Sequence, residues 1–235
     1  MKILAIDSSA ISAGCAIVDG ENLIAESFVR VGLTHSETLL PMVSNTLANA
    51  KLTANDLDCY AVSSGPGSFT GIRIGVAAVK GMAFTDGTPC VGVSTLEAIA
   101  WNCAACDGII CSVMDARRQQ VYNALFTFEG QSITRLCDDR AISIDDLTRE
   151  LNNAQKPVWL AGDGASLCFG YMKERLPDVR LVPEHLRYAR GYGVAMAAQR
   201  FINEQGALPP DRLIPTYLRP SQAEREKNSL KKTTN

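Results

Sequence analysis

Ser63-Ser64-Gly65-Pro66-Gly67-Ser68-Phe69-Thr70-Gly71-Ile72-Arg73-Ile74-Gly75 is the stretch whose reading decides the fold of this chain. An apolar strand over 59–63 runs into a Gly-Pro-Gly turn, and a long apolar helix over 68–84 follows at once. Gly65 and Gly67 let the backbone turn sharply and let another group approach closely. Ser68 or Thr70 caps the new helix. Free amides at a helix start above a strand end favour an anion. A tight turn without ligand explains the same residues equally well. No Gly-Lys-Ser/Thr follows, so this is not a Walker loop, and Thr70 stands where a Gly-x-Gly-x-x-Gly motif needs its third glycine.

Before that turn, the pattern predicts strands over 3–7, 14–18 and 23–30, with Asp19-Gly20-Glu21-Asn22 turning the second hairpin. An amphipathic helix over 36–50 carries Leu39, Leu40, Met42, Val43, Leu47 and Ala50 on one side. Pro41 in its first turns predicts a bend or a late start. After the turn, a strand over 90–93 leads to a helix opening at Ser94 or Thr95, where Glu97 suits a capping box. Beyond Asp107-Gly108 the pattern begins again. A strand over 109–114 ends at Asp115, strands over 121–128 and 132–136 flank Glu129-Gly130, and a helix covers 144–151. A strand over 158–161, the turn Gly162-Asp163-Gly164 and another helix follow. Each half thus opens with a strand ending in Asp, then two strands around an acidic-Gly turn, which is an internal repeat. One more helix covers 190–204, and the polar end of the chain reads as disordered. The expected division is an N-terminal domain over 1–106, a degenerate second copy over 107–220 and a tail over 221–235.

The chain has 235 residues, 46% hydrophobic and 20% charged, enough to bury a sizeable core. Its net charge of −2 excludes a general polyanion binder, so a nucleic-acid contact needs a local basic patch or a partner. Residues 1–6 meet Asp7 too soon to form a signal peptide, and no apolar run approaches the roughly 18 residues of a membrane span. Most of the eight cysteines sit in apolar segments and read as reduced thiols. Cys103-Ala104-Ala105-Cys106 has the spacing of a redox or zinc pair. With only His35 and His185 in the chain and no second pair, it reads as a helix end carrying two thiols.

Asp7 ends an apolar strand, where a charge must be solvated or paired. It is either a turn acceptor for Ser8 or Ser9 or a vestigial nucleotide residue. Asp115 with Arg117 reads as an internal ion pair, and His35 as a cap or packing residue. On the helix over 72–84, Ile72, Val76, Val79 and Ala83 make one apolar face. Ile74, Ala78 and Gly81, with Met82 one turn on, make a second face, and Arg73 and Lys80 form a charged stripe. One apolar face must cover the sheet. The other suits close contact with another helix.

Two α/β halves with Asp at each first strand end resemble the actin-like ATPase superfamily. That resemblance implies two related ribonuclease H-like domains, mixed sheets flanked by helices, and a cleft where Asp7, Asp115 and both Gly turns converge. Within it, Ile3-Leu4-Ala5-Ile6-Asp7-Ser8-Ser9, His35 with 39–43, the block 64–75, Gly92-Val93-Ser94-Thr95-Leu96, Met114-Asp115-Ala116-Arg117 and Pro215-Thr216-Tyr217-Leu218-Arg219-Pro220 are similar to the bacterial TsaB family, formerly YeaZ. This implies a cytoplasmic, non-catalytic partner that binds and activates TsaD, with TsaE, for transfer of a threonylcarbamoyl group onto the tRNA adenosine beside the anticodon. It further implies a homodimer when alone, tRNA reached through the complex, no membrane, and no cofactor or metal of its own. ATP or ADP binding belongs to the complex only, with Asp7, Gly65, Gly67, Ser68, Thr70 and Asp115 as nucleotide or anion candidates. Leu39, Met42, Val43, Ile74, Ala78, Gly81 and Met82 are the expected partner interface. Arg117, Arg118, Arg187, Arg190 and Arg219 read as scattered solvated arginines or as a basic surface for tRNA. Catalytic relatives carry a histidine pair after the fifth strand, where this chain has Ser94-Thr95-Leu96-Glu97. The alternatives are an independent ATPase or small-molecule kinase and, against the missing ligands, a metallopeptidase.

Overall fold

The computed structural model describes residues 1–32 and 34–219, and the expected tail over 221–235 lies outside the described residues. The first half holds β1 (Lys2–Asp7), β2 (Ala13–Asp19), β3 (Asn22–Val29), α1 (His35–Ala50), β4 (Cys59–Gly65), α2 (Phe69–Phe84), β5 (Cys90–Ser94) and α3 (Thr95–Trp101). Its sheet has the order β3-β2-β1-β4-β5, with β2 antiparallel to both neighbours and β4 and β5 parallel to β1. Then come β6 (Ile109–Asp115), β7 (Gln120–Glu129), β8 (Ser132–Arg135), β9 (Arg140–Ser143), α4 (Ile144–Leu151), β10 (Val158–Ala161), α5 (Ala165–Met172), β11 (Val179–Leu181), α6 (Glu184–Arg187) and α7 (Gly191–Gln205). The second sheet runs β8-β7-β6-β10-β11 with the same mixture of directions, and β9 pairs with β7. The strand orders match one for one. This is the duplicated arrangement that the repeat implies.

Period-two alternation explains why the central strands are apolar throughout. Leu4, Ile6, Tyr60 and Val62 face one core, which α1 and α2 close with Leu39, Met42, Val43, Ile72, Val76 and Val79. Ile3, Ala5, Cys59 and Ala61 face the other, which α7 closes with Val194, Ala195 and Ala198. Helix α3 then sends Leu96, Ile99 and Ala100 against Ile110, Met114 and Phe126 of the second sheet. Helices α4 and α5 cover that sheet's far face. The layers are therefore α1/α2, first sheet, α7/α3, second sheet, α4/α5.

Several expectations change here. Helix α7 packs on the first sheet, and Leu208 bridges to Cys90 of β5, so the chain beyond about residue 190 returns to the first half. The division at residue 107 therefore does not hold for α7. Leu39, Met42 and Val43 point into the chain's own core, being 1%, 8% and 3% exposed, and leave the expected interface for that reason. Helix α1 begins at His35 and continues through Pro41, whose exposed side lets the carbonyl freed at Glu37 meet solvent. Strands β9 and β11 and helix α6 are not predicted by the sequence pattern. All eight cysteines are free. No helix among the described residues is long and apolar enough to cross a membrane.

Candidate functional site

The carboxyl ends of β1, β4, β6 and β10 converge, as open α/β sheets bring their strand ends to one crevice. A cleft of about 840 Å³ lies there, lined among others by Ser9, Gly67, Ser68, Asp115, Asp163 and Tyr217. Both sheets contribute to it. Asp7 is fully buried beside the cleft and not on its surface. The Ser9 hydroxyl donates to Asp7 Oδ1 at 2.7 Å, the turn-acceptor role, while Oδ2 has no partner. Burial pushes the Asp7 carboxyl above its ordinary range, with the Ser9 hydrogen bond pulling the other way. His35 lies nearby, its Nε2 at 2.7 Å from the Ala10 carbonyl, which packs the helix start onto the loop after β1.

Above β4, the expected turn is closed by contact. A Cβ on Gly67 would collide with the Ser9 carbonyl, and one on Gly65, at φ +139°, with the Thr216 carbonyl. The Ser68 amide donates to Ser9 O at 2.7 Å, and its hydroxyl caps α2 by accepting from Gly71 N at 3.3 Å. Thr70 is not the cap. Ser68 N–H, one of the donors that a phosphate at this helix start would use, is thus consumed by the neighbouring loop.

The second half is different. Asp115 accepts from the Arg117 amide at 2.7 Å and lies 3.5 Å from its guanidinium, so the expected ion pair forms, but with Arg117 87% exposed it adds little stability. The Asp115 amide donates to Asp163 Oδ1 at 3.1 Å, tying β6 to the turn after β10. Arg187 and Arg190 are not part of this region's charge. Arg187 is buried on the Val182 carbonyl, Ser166 and Glu184, and Arg190 is paired with Glu26.

Sequence reasoning missed the strap that crosses the cleft. Thr216 N donates to Ser64 O at 2.7 Å, Tyr217 stacks on Phe69 at 4.4 Å, and Arg73 Nε donates to the Tyr217 hydroxyl at 2.9 Å. Lys80 Nζ donates to the Asp211 and Leu213 carbonyls, and Arg219 Nη1 to the Ala116 carbonyl. The Arg73/Lys80 stripe was the available signal for it.

On the other side of the strap, a smaller cavity of about 280 Å³ sits over Ser94 and Glu97. The Ser94 hydroxyl accepts from the Glu97 amide, but the Glu97 side chain does not complete a capping box. Its carboxylate, 8% exposed, instead accepts from Arg135 at 2.9 Å and from Arg200 at 2.9 and 3.2 Å. Two guanidiniums thus hold the one carboxylate of the Ser94-Thr95-Leu96-Glu97 turn. Among the described residues, no three His, Cys, Asp or Glu side chains gather as a metal site.

On the outer face of α2, Ala77, Gly81 and Phe84 are exposed, Phe84 at 80%, while Ile74, Ala78 and Met82 are half-buried at the edge of the core. Leu40 of α1 is 51% exposed.

A family model described as "TsaD: tRNA N6-adenosine threonylcarbamoyltransferase" matches residues 30–223. The tRNA threonylcarbamoyladenosine biosynthesis protein TsaB of Bacillus subtilis (strain 168) is 32% identical over 225 residues, covering 95% of this chain and 96% of that one. The protein of the same name from Escherichia coli (strain K12) is 28% identical over 162 residues, 68% of this chain and 70% of that one. The solved structure of YeaZ from Pseudomonas aeruginosa superposes with a TM-score of 0.76 at 22% identity, covering 92% of this chain and 99% of that one, and shares the fold. The chain belongs to the TsaB family.

Proposed function

We propose that this chain is the non-catalytic partner that binds and activates TsaD, with TsaE, in transferring the threonylcarbamoyl group to the tRNA adenosine beside the anticodon. Its family membership supports a part in tRNA threonylcarbamoyladenosine biosynthesis, the process in its relatives' name. The observation that carries the partner role is the outer face of α2. Phe84 is 80% exposed beside Gly81 and the half-buried Ile74, Ala78 and Met82, an apolar surface with small residues at its centre that suits a second helix. The Arg135–Glu97–Arg200 clamp supports the absence of catalysis, because that carboxylate is already fully engaged. The same surface serves a homodimer of the isolated chain, the protein works in the cytoplasm, and tRNA is engaged through the complex. We assign the isolated chain no cofactor and reserve ATP or ADP for the assembled complex, since Ser9 occupies the amide of Ser68. That contact also argues against the independent ATPase or kinase.

Ala78→Glu tests the interface. A glutamate on this half-exposed helix face costs the monomer little, whereas in a helix–helix contact it buries an unpaired carboxylate at several kcal/mol. Binding to TsaD, by titration calorimetry, falls at least a hundredfold, and reconstituted tRNA modification falls with it, while the melting temperature moves by less than about 3 °C. Gly81→Glu is the companion variant, because a Cβ there meets nothing within 4 Å. Wild-type binding by both variants overturns the interface.

A further inference from the structure

We infer that the open rim of the cleft, formed by Arg73, Arg117, Arg219, Tyr217 and Tyr122 with the exposed Arg118 next to Arg117 on the same turn, is a direct contact surface for unpaired RNA. The inference rests on the proposed role in tRNA modification for its choice of ligand, but its geometry is independent of the α2 interface. It adds to this chain a contact of its own with the nucleic acid that the complex engages.

The turn after β6 presents the first two cations. Arg117, Arg118 and Gln119 have φ of 66°, 55° and 58°, three consecutive non-glycine residues in the left-handed region. L-residues with a Cβ adopt that conformation at a cost, and such strain persists where the surrounding structure over-determines it. Here the Arg117 amide on Asp115, the Ala116 amide on Gln120 O and the Ile144 amide on Gln119 O hold the turn. The result is that Arg117, 87% exposed, and the exposed Arg118 project from the rim. Neither makes a strong ion pair: Arg117 reaches Asp115 only at 3.5 Å.

The strap supplies the rest. The Arg73 guanidinium lies 3.9 Å over the Phe69 ring and bonds the Tyr217 hydroxyl, and Tyr217 is 39% exposed. Arg219 lies 5.9 Å from the centre of the Tyr122 ring, with one donor on the Ala116 carbonyl. Guanidinium planes and aromatic rings side by side stack unpaired bases, while the remaining donors meet phosphates. A duplex offers no free base faces, so this combination selects loops over stems. Asp115 and Asp163 also line the cleft. Their charge repels phosphate from the interior and confines the anion to the rim. This local arrangement provides the basic patch that a chain of net charge −2 needs for RNA.

The test uses a fluorescein-labelled RNA hairpin with the sequence of a tRNA anticodon stem-loop, read by anisotropy with the full-length chain at 50 mM and 200 mM salt. Arg117→Asn with Arg118→Asn removes two cations while keeping a residue type that tolerates the left-handed turn. The double variant weakens binding about tenfold at 50 mM salt. The slope of log affinity against log salt becomes shallower by about 1.4, the value for two single-strand phosphate contacts. Tyr217→Ala weakens loop binding about fivefold or more and leaves a blunt duplex of equal length unaffected. Equal affinity of wild type and double variant, or equal affinity for loop and duplex, overturns the inference. So does a double variant that loses TsaD while keeping its RNA affinity, which makes the rim a protein contact. A wild-type chain that binds the hairpin but fails to restore modification sinks the proposed function and leaves this inference standing.

Discussion

The loops that follow β1 and β6 occupy equivalent places in the repeat and are built in opposite ways. After Asp7 the chain runs Ser8-Ser9, with Ser8, Ser9 and Ser12 at most 1% exposed, and the Ser9 carbonyl seals against Gly67. After Asp115 it runs Ala116-Arg117-Arg118-Gln119 through a left-handed turn into solvent. The first loop is interior except at its tip, where Ile11 is exposed, and the second is surface. The strand order brings both to one cleft, but the side chains after each Asp decide what the cleft can bind. Small hydroxyl residues let two loops close on each other. Arginines cannot be buried unpaired and keep the second loop open.

That contrast depends first on the two halves being locked together. Glu97→Ala removes the buried carboxylate that ties α3 to Arg135 and Arg200, leaving those guanidiniums only Asp139 and Glu204 as partners. Removing one partner of a buried pair costs about 3–5 kcal/mol. Because Arg135 and Arg200 are 21% and 34% exposed, we expect about 2–4 here. The melting temperature falls by roughly 5–12 °C. A loss under about 2 °C in a calorimetric scan shows that the apolar layer alone holds the halves.

A smaller effect tests how the first loop is sealed. Gly67→Val drives a branched side chain into the Ser9 carbonyl and costs about 1–3 kcal/mol. We expect a lower chemical-denaturation midpoint and reduced modification in the reconstituted system. An equally stable and active variant makes the close approach incidental and erases the difference between the loops.

The smallest effect has the opposite sign. In the unfolded chain, Asp7 ionises near pH 4, and in the folded chain burial holds its pKa higher. Folding therefore takes up a proton between those two values, so this group's contribution to stability declines as pH rises through that window. Its cost is complete above the folded pKa. Asp7→Asn removes the cost and keeps an oxygen for the Ser9 hydroxyl. The variant is more stable than wild type at pH 7, and the advantage shrinks as melts are repeated towards pH 4. A variant destabilised at pH 7 means that the Asp7 charge is itself structural.

Much of this architecture is legible in the residues. Ile3, Leu4, Ala5 and Ile6 run apolar to Asp7 because both faces of β1 are covered, and Ile109 to Asp115 repeats the pattern. Ser68 and Ser94 announce their helices by cap chemistry. Other features depend on distant partners. The periodicity of α1 shows that Leu39, Met42 and Val43 are covered, but not whether their own sheet or another chain covers them. Glu97 has the spacing of a capping box, yet two arginines at 135 and 200 claim its carboxylate. Arg-Ala-Ile-Ser at β9 is too short for alternation to register. The strap leaves only the Arg73/Lys80 stripe as a trace, because Tyr217 and Phe69 meet only in three dimensions.

Helix α7 closes the first sheet from the far end of the chain, and this sets an order of events during synthesis. The face bearing Ile3, Ala5, Cys59 and Ala61 has only Ala98 and Trp101 of α3 beside it until residues 191–205 have left the ribosome. Between the completion of α3 and the arrival of α7, roughly a hundred residues must be translated, about 5–20 s at ordinary elongation rates. The second sheet can form within that interval, while the first waits with most of an apolar face bare. The nascent chain therefore finishes its earliest strands last, and that bare face is where a chaperone has something to hold.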